Sequence, residues 1–135
     1  MKIYFAGSIR GGRDLAGDYN KLISALSVNH AVLTEHIGDK EISSSGEVLL
    51  EKDIFKRDID WINSADVVIA EVSVPSVGVG WEIGYAESLG KRIICLYNIN
   101  SEKKISAMVE GNPNNQIIKY KTIDEAIEKL NELLV

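Results

Sequence analysis

Short apolar runs alternate with longer helix-period segments along the whole chain, and this alternation restricts the fold more than any other feature. The strand-like runs are Lys2–Ala6, Ala31–Thr34, Asp66–Val72, Arg92–Tyr97 and Gln116–Tyr120, all rich in Val, Ile and Tyr. They are almost continuously apolar, as strands covered on both faces should be. Helical periodicity covers Arg13–Ser27, Glu47–Ser64, Val79–Leu89, Lys103–Glu110 and Ile123–Leu134. The last of these puts Ile123, Ala126, Ile127, Leu130 and Leu133 on one stripe, with Asp124 and Glu125 in its first turn. Strand–helix repetition of this kind implies a parallel sheet. The expected fold is α/β: a flavodoxin-like doubly wound sheet of five parallel strands with helices on both faces, ordered 2-1-3-4-5. Such sheets bind ligands beyond the carboxyl ends of their strands, near the switch between strands 1 and 3. The polar loops 37–46 and 98–102 are too short to be interdomain linkers.

A chain of 135 residues fits one domain spanning 1–135. With 45% hydrophobic residues it can bury a core without a disulfide or a metal. Its one cysteine, Cys95, lies inside an apolar run and reads as a small core residue; only Arg92 nearby could activate a thiol. The net charge of −5 argues against a nucleic-acid polymer as partner, since backbone binding needs a basic face. It leaves a small anion open. His30 and His36 lack ligand spacing, so no metal is expected. Neither a leader-like segment nor a run of about 20 apolar residues is evident, so the expectation is a cytoplasmic protein without a membrane partner.

Three places could carry chemistry. After strand 1 comes Gly7-Ser8-Ile9-Arg10-Gly11-Gly12-Arg13. Glycines allow a tight turn that presents N–H groups, a helix start favours an anion, and Ser8 and Arg10 suit phosphate. A plain strand-to-helix connection would need the glycines but not the serine and arginine. The run is neither a P-loop nor G-x-G-x-x-G, which argues against an ordinary triphosphate or dinucleotide. After strand 3 comes Val74-Pro-Ser-Val-Gly-Val-Gly-Trp-Glu82-Ile-Gly84. Glu82 is expected in the first turn of its helix, where the dipole favours the ionised carboxylate that a nucleophile must be. A simple helix-capping role is the alternative. Gly84 and Ala86 would allow close helix–sheet packing, and Ser76 adds a hydroxyl. Third, the helical wheel turns Asp58 inward, between Leu50, Ile54 and Trp61 on one side and Phe55 and Ile62 on the other. Burial would raise its pKa and suit a general acid, while an ion pair to Arg57 or Lys91 is the alternative. Tyr4 points away from Ile3 and Phe5 and can reach the same region, although by itself it reads as plain core. Glu35, His36 and Glu71, at strand carboxyl ends, are expected to be supporting hydrogen-bonding residues.

Taken together, the stretches Tyr4-Phe-Ala-Gly-Ser-Ile-Arg-Gly-Gly-Arg13, Leu33-Thr-Glu-His36, Asp58-Ile-Asp-Trp61, Ala65–Val72, Pro75-Ser-Val-Gly-Val-Gly-Trp-Glu82 and Ser106-Ala-Met108 resemble the 2′-deoxynucleoside 5′-monophosphate N-hydrolases of the nucleoside 2-deoxyribosyltransferase-like superfamily. The resemblance implies that Glu82 attacks the anomeric carbon to form a covalent deoxyribosyl-enzyme that water hydrolyses. It implies that Asp58 protonates or holds the leaving base and that Tyr4 orients Glu82. Gly7, Ser8, Ile9, Arg10, Gly11, Ser76 and Gly78 would surround the 5′-phosphate. Ser106 would complete the phosphate site from a neighbouring subunit, which implies a homodimer; no cofactor is implied. Trp81 departs from the family pattern, where tyrosine is expected, and the match fades beyond Met108. The rivals are a nucleoside deoxyribosyltransferase, a ribonucleoside monophosphate hydrolase and, from another class, a non-catalytic nucleotide sensor.

Overall fold

The structure is a computed structural model that describes residues 1–8, 16–34 and 49–135. The elements are β1 (Lys2–Ala6), α1 (Ala16–Leu26), β2 (Ala31–Val32), α2 (Glu51–Ser64), β3 (Val67–Glu71), α3 (Val77–Ser88), β4 (Arg92–Asn98), α4 (Ala107–Glu110), β5 (Asn115–Tyr120) and α5 (Ile123–Leu133). The five strands form one sheet in the order β2-β1-β3-β4-β5, every neighbouring pair parallel. The expected topology is therefore borne out, including the switch between β1 and β3.

Successive strand residues point to opposite faces, so each strand feeds two cores. Ile3 and Phe5 face one side with Ile69, Ile94 and Leu96, covered by Leu22 and Leu26 of α1 and by Ala126 and Leu130 of α5. Tyr4 and Ala6 face the other side with Val68, Ala70 and Cys95, covered by Ile62 of α2 and by Val79, Ile83 and Ala86 of α3. Cys95 is fully buried, and burial pushes its thiol up to about 12, which makes it the inert core residue expected. Among the described residues no helix is long and apolar enough to cross a membrane.

Several boundaries differ from the sequence expectation for local reasons. β2 stops at Val32, because Thr34 takes over: its Oγ1 accepts from Phe5 N–H at 2.8 Å and donates to Phe5 C=O at 2.7 Å. α3 starts two residues early, at Val77, because Ser76 caps it by accepting from Val79 N–H. The helix expected over 103–110 shrinks to α4. Lys103 spends its carbonyl on the Tyr97 hydroxyl at 2.6 Å, and Ser106 caps only the four residues before the Gly111–Pro113 turn. α2 opens at Glu51, with Leu49 and Leu50 exposed ahead of it.

Candidate active site

α3 lies on the sheet through Val79, Ile83 and Ala86. With 3.6 residues per turn, that face leaves Glu82 at its edge, turned toward β1. There the Tyr4 hydroxyl, buried in the sheet, donates a hydrogen bond to Glu82 Oε2. β1, which carries Tyr4, ends at Ala6 and leads directly into Gly7 and Ser8, so Ser8 follows the tyrosine bonded to Glu82 by four residues.

Two expectations about Glu82 need correction. It is the sixth residue of α3 and not in the first turn, where no acidic residue occurs. The helix dipole fades within a turn, so it does not hold this group ionised. Instead burial pushes the carboxyl up to about 7; the negative charge of Asp58 adds to the rise, and the Tyr4 hydrogen bond opposes it. Tyr4 is pushed far above its usual range by burial and by Glu82 and Asp58, so it stays an O–H donor throughout. A carboxyl that titrates near neutrality can exchange a proton and, once ionised, attack an electrophilic carbon. Gly84 is not a packing glycine: it is exposed, and a Cβ there would meet nothing within 4 Å. Of the two small residues expected to allow close helix–sheet packing, only Ala86 is buried.

Asp58 is near Tyr4 and Glu82, since its charge acts on both. It is not buried among apolar side chains, however. Leu50 and Phe55, two of its expected neighbours, are 60% and 57% exposed, and Ile62 is the buried residue of α2. Asp58 is instead quarter-exposed and ion-paired: Arg57 Nε and Nη2 both lie 3.0 Å from its Oδ1. Adjacent helix residues do not normally face each other. Here the Arg57 guanidinium lies over the Trp61 ring, 4.7 Å from its centroid, and is steered onto the carboxylate. The sequence offered this pair only as an alternative; an aromatic four residues beyond the arginine was its signal. Trp81, the departure from the family pattern, is half-exposed, stacks on Tyr85 at 5.3 Å and meets Phe55 edge-on at 5.5 Å.

The candidate phosphate residues fall in four groups. Ile9, Arg10 and Gly11 lie outside the described residues, as do Glu35 and His36. Gly7 and Ser8 close β1. A Cβ on Gly7 would come within 2.8 Å of the Tyr19 ring, and Ser8 N–H donates to the Tyr19 hydroxyl at 3.1 Å. Tyr19, which sequence reading did not single out, is thus the post on which this turn rests. Ser8 is 1% exposed, and its Oγ has no hydrogen-bond partner among the described residues. Ser76 and Gly78 belong to the α3 start. A Cβ on Gly78 would stand 3.9 Å from both Glu82 Oε1 and Ser76 Oγ, so the missing side chain leaves that oxygen approachable. Ser106 caps α4 and is exposed. It is not brought up to Glu82; with Ser76 it lines a groove of about 890 Å³ between α3 and α4.

The sequence profile of the family described as nucleoside 2-deoxyribosyltransferase matches residues 3–117. The chain is 46% identical over 116 residues to a 5-hydroxymethyl-dUMP N-hydrolase of Tetraodon nigroviridis, covering 84% of this chain and 82% of the relative. It is 42% identical over 134 residues to the Mus musculus 5-hydroxymethyl-dUMP N-hydrolase, covering 98% and 76%. Among solved structures, a Clostridium botulinum CMP N-glycosidase superposes with a TM-score of 0.72 at 24% identity, over 98% of this chain and 99% of the other, a likeness of fold. The chain belongs to the nucleoside 2-deoxyribosyltransferase family and, within it, groups with the nucleotide N-hydrolases.

Proposed function

We propose that this enzyme hydrolyses the N-glycosidic bond of 2′-deoxynucleoside 5′-monophosphates to free base and 2-deoxyribose 5-phosphate, through a covalent intermediate on Glu82. The observation that carries the reading is the Tyr4 hydrogen bond to Glu82 Oε2 with the Asp58 charge beside it. Tyr4 occupies Oε2, and Gly78 leaves the space before Oε1 empty, so Oε1 is the attacking oxygen. It bonds to C1′ as the C1′–N bond breaks and its electron pair leaves with the base. The positive charge that develops on the sugar favours the ionised form of Glu82, and water then attacks C1′ to free the carboxylate. Asp58 faces the leaving base, either as its proton donor or as the acceptor for its N–H groups.

The phosphate falls to Gly7, Ser8, Ile9, Arg10, Gly11, Ser76 and Gly78. The buried Ser8 Oγ, without a partner among the described residues, supports a polar ligand at this end. A homodimer would bring Ser106 from a second copy. In support, Val77 and Met108 on the α3–α4 groove are 94% and 84% exposed, an apolar face suited to burial against another chain.

The test is chromatography of free base released from a panel of deoxy- and ribonucleoside monophosphates, 5-hydroxymethyl-dUMP included, and from the matching nucleosides. Release from at least one deoxynucleotide, and little from its nucleoside, is expected. Equal turnover of both would remove the phosphate assignment. Sugar transfer to an added second base would point to a transferase. A Glu82→Gln enzyme that still releases base would remove Glu82 from the chemistry, whereas a wild-type protein that binds nucleotide and releases nothing would be a sensor.

A further inference from the structure

Glu71 is a buried carboxyl that the reaction does not use. It ends β3 at 1% exposure, and burial raises its pKa. Burying such a group is costly unless its oxygens are satisfied. Two donors from different parts of the chain converge on it: Ser73 N–H reaches Oε1 at 2.6 Å, and the Tyr120 hydroxyl reaches Oε2. Tyr120 ends β5, so the contact spans the intervening strand β4. Ser73, also buried, passes the constraint outward. Its Oγ accepts from Asn98 N–H at 2.7 Å, and its C=O accepts from Ser101 Oγ at 2.9 Å. Ser101 Oγ in turn accepts from Lys103 N–H at 3.2 Å. Ser76 follows Ser73 by three residues, and Ser106 follows Lys103 by three. One set of hydrogen bonds thus ties together the two loops that present these serines to a common groove.

We infer that Glu71 is a positioning residue for the phosphate end of the site: through Ser73 and Tyr120 it fixes the β3–α3 loop, which presents Ser76 to this chain's own site, and the β4–α4 loop, which presents Ser106 to the site of the second copy. The inference rests on the phosphate reading above. It requires that loosening the network harm recognition of the phosphate and leave the chemistry at Glu82 intact, because the Tyr4–Glu82 bond lies on the opposite face of the sheet.

The test compares kcat/KM for a deoxynucleotide and for its unphosphorylated nucleoside in wild type, Glu71→Ala, Glu71→Gln, Tyr120→Phe and Ser101→Ala, with thermal unfolding of each. Tyr120→Phe and Ser101→Ala are expected to lower the nucleotide-to-nucleoside ratio about tenfold, the effect of one misplaced hydrogen bond, through KM for the nucleotide. Glu71→Ala should do at least as much. Glu71→Gln should recover the ratio, since its amide can accept from Ser73 and donate to Tyr120. If Glu71→Ala does not fold, Tyr120→Phe and Ser101→Ala decide the matter. An unchanged ratio in those two, or an equal fall for nucleotide and nucleoside, would overturn the inference and leave a merely structural network. A wild-type enzyme that does not prefer the nucleotide would instead sink the phosphate reading, and the inference with it.

Discussion

Replacing Tyr4 by Phe removes one hydroxyl from a fully buried position and should move the pH dependence of the enzyme without unfolding it. Glu82 sits at about 7 because burial raises it while the Tyr4 hydrogen bond and the Asp58 charge pull in opposite directions. A hydrogen bond to a charged group contributes about 1.5–3 kcal/mol. At about 1.4 kcal/mol per pKa unit, losing it carries Glu82 up by about 1–2 units, to about 8–9. At pH 7 the ionised fraction would fall from about one half to about 1–10%, so base release should drop about 5- to 50-fold. The assay is kcat/KM for base release from pH 5 to 10. The acid limb should shift upward by about 1–2 units, with most of the rate recovered above about pH 9. A uniformly lower plateau with the limb unmoved would refute the reasoning, because Tyr4 would then not set the charge of Glu82.

The raised pKa of Glu82 also makes a stability prediction. A carboxyl whose folded pKa lies above its unfolded value favours the fold when protonated. That contribution is complete below about 4.5 and is lost as pH rises through about 7. Glu82→Gln should therefore match wild type near pH 4 and exceed it by on the order of 3 kcal/mol above pH 8 in urea melts, while releasing no base; equal stability at both pH values would contradict the burial argument. Gly78→Ala adds a methyl 3.9 Å from Glu82 Oε1 in a helical position. It should stabilise the fold by up to about 1 kcal/mol of helix propensity, read as a slightly higher melting temperature, and cut kcat/KM at least about tenfold. Full activity would mean the sugar approaches from elsewhere. Gly7→Ala drives a Cβ to 2.8 Å from the buried Tyr19 ring and should cost about 1–3 kcal/mol in chemical denaturation; no loss would show that the ring can step aside.

The strand–helix order, the parallel sheet and the two-sided core were legible in the sequence because burial on both faces writes continuous apolar runs and regular periods. The loop before Glu82 was legible as a turn, since Pro75 and the glycines mark one by local chemistry, but the Ser76 cap that starts α3 at Val77, and so carries Glu82 beyond the first turn, was not. Nor were the charge states. Glu82 was expected to be held ionised by its helix, yet its titration is governed first by burial, then by Tyr4, 78 residues away, and by Asp58 on another helix. Asp58 was expected among apolar neighbours, yet a wheel cannot tell which inward-facing positions the sheet covers, and α2 buries Ile62 alone. The partnership of Glu71 with Tyr120 joins strands that are not even adjacent.

The linear order of residues therefore determined the elements, their direction and which polar side chains follow the strand ends, because propensity, capping and periodicity act over a few positions. Only the tertiary structure decided which of those side chains meet and what charge they carry. Solvent exclusion and Coulomb interaction depend on distance in space, which the position of a residue in the chain does not encode.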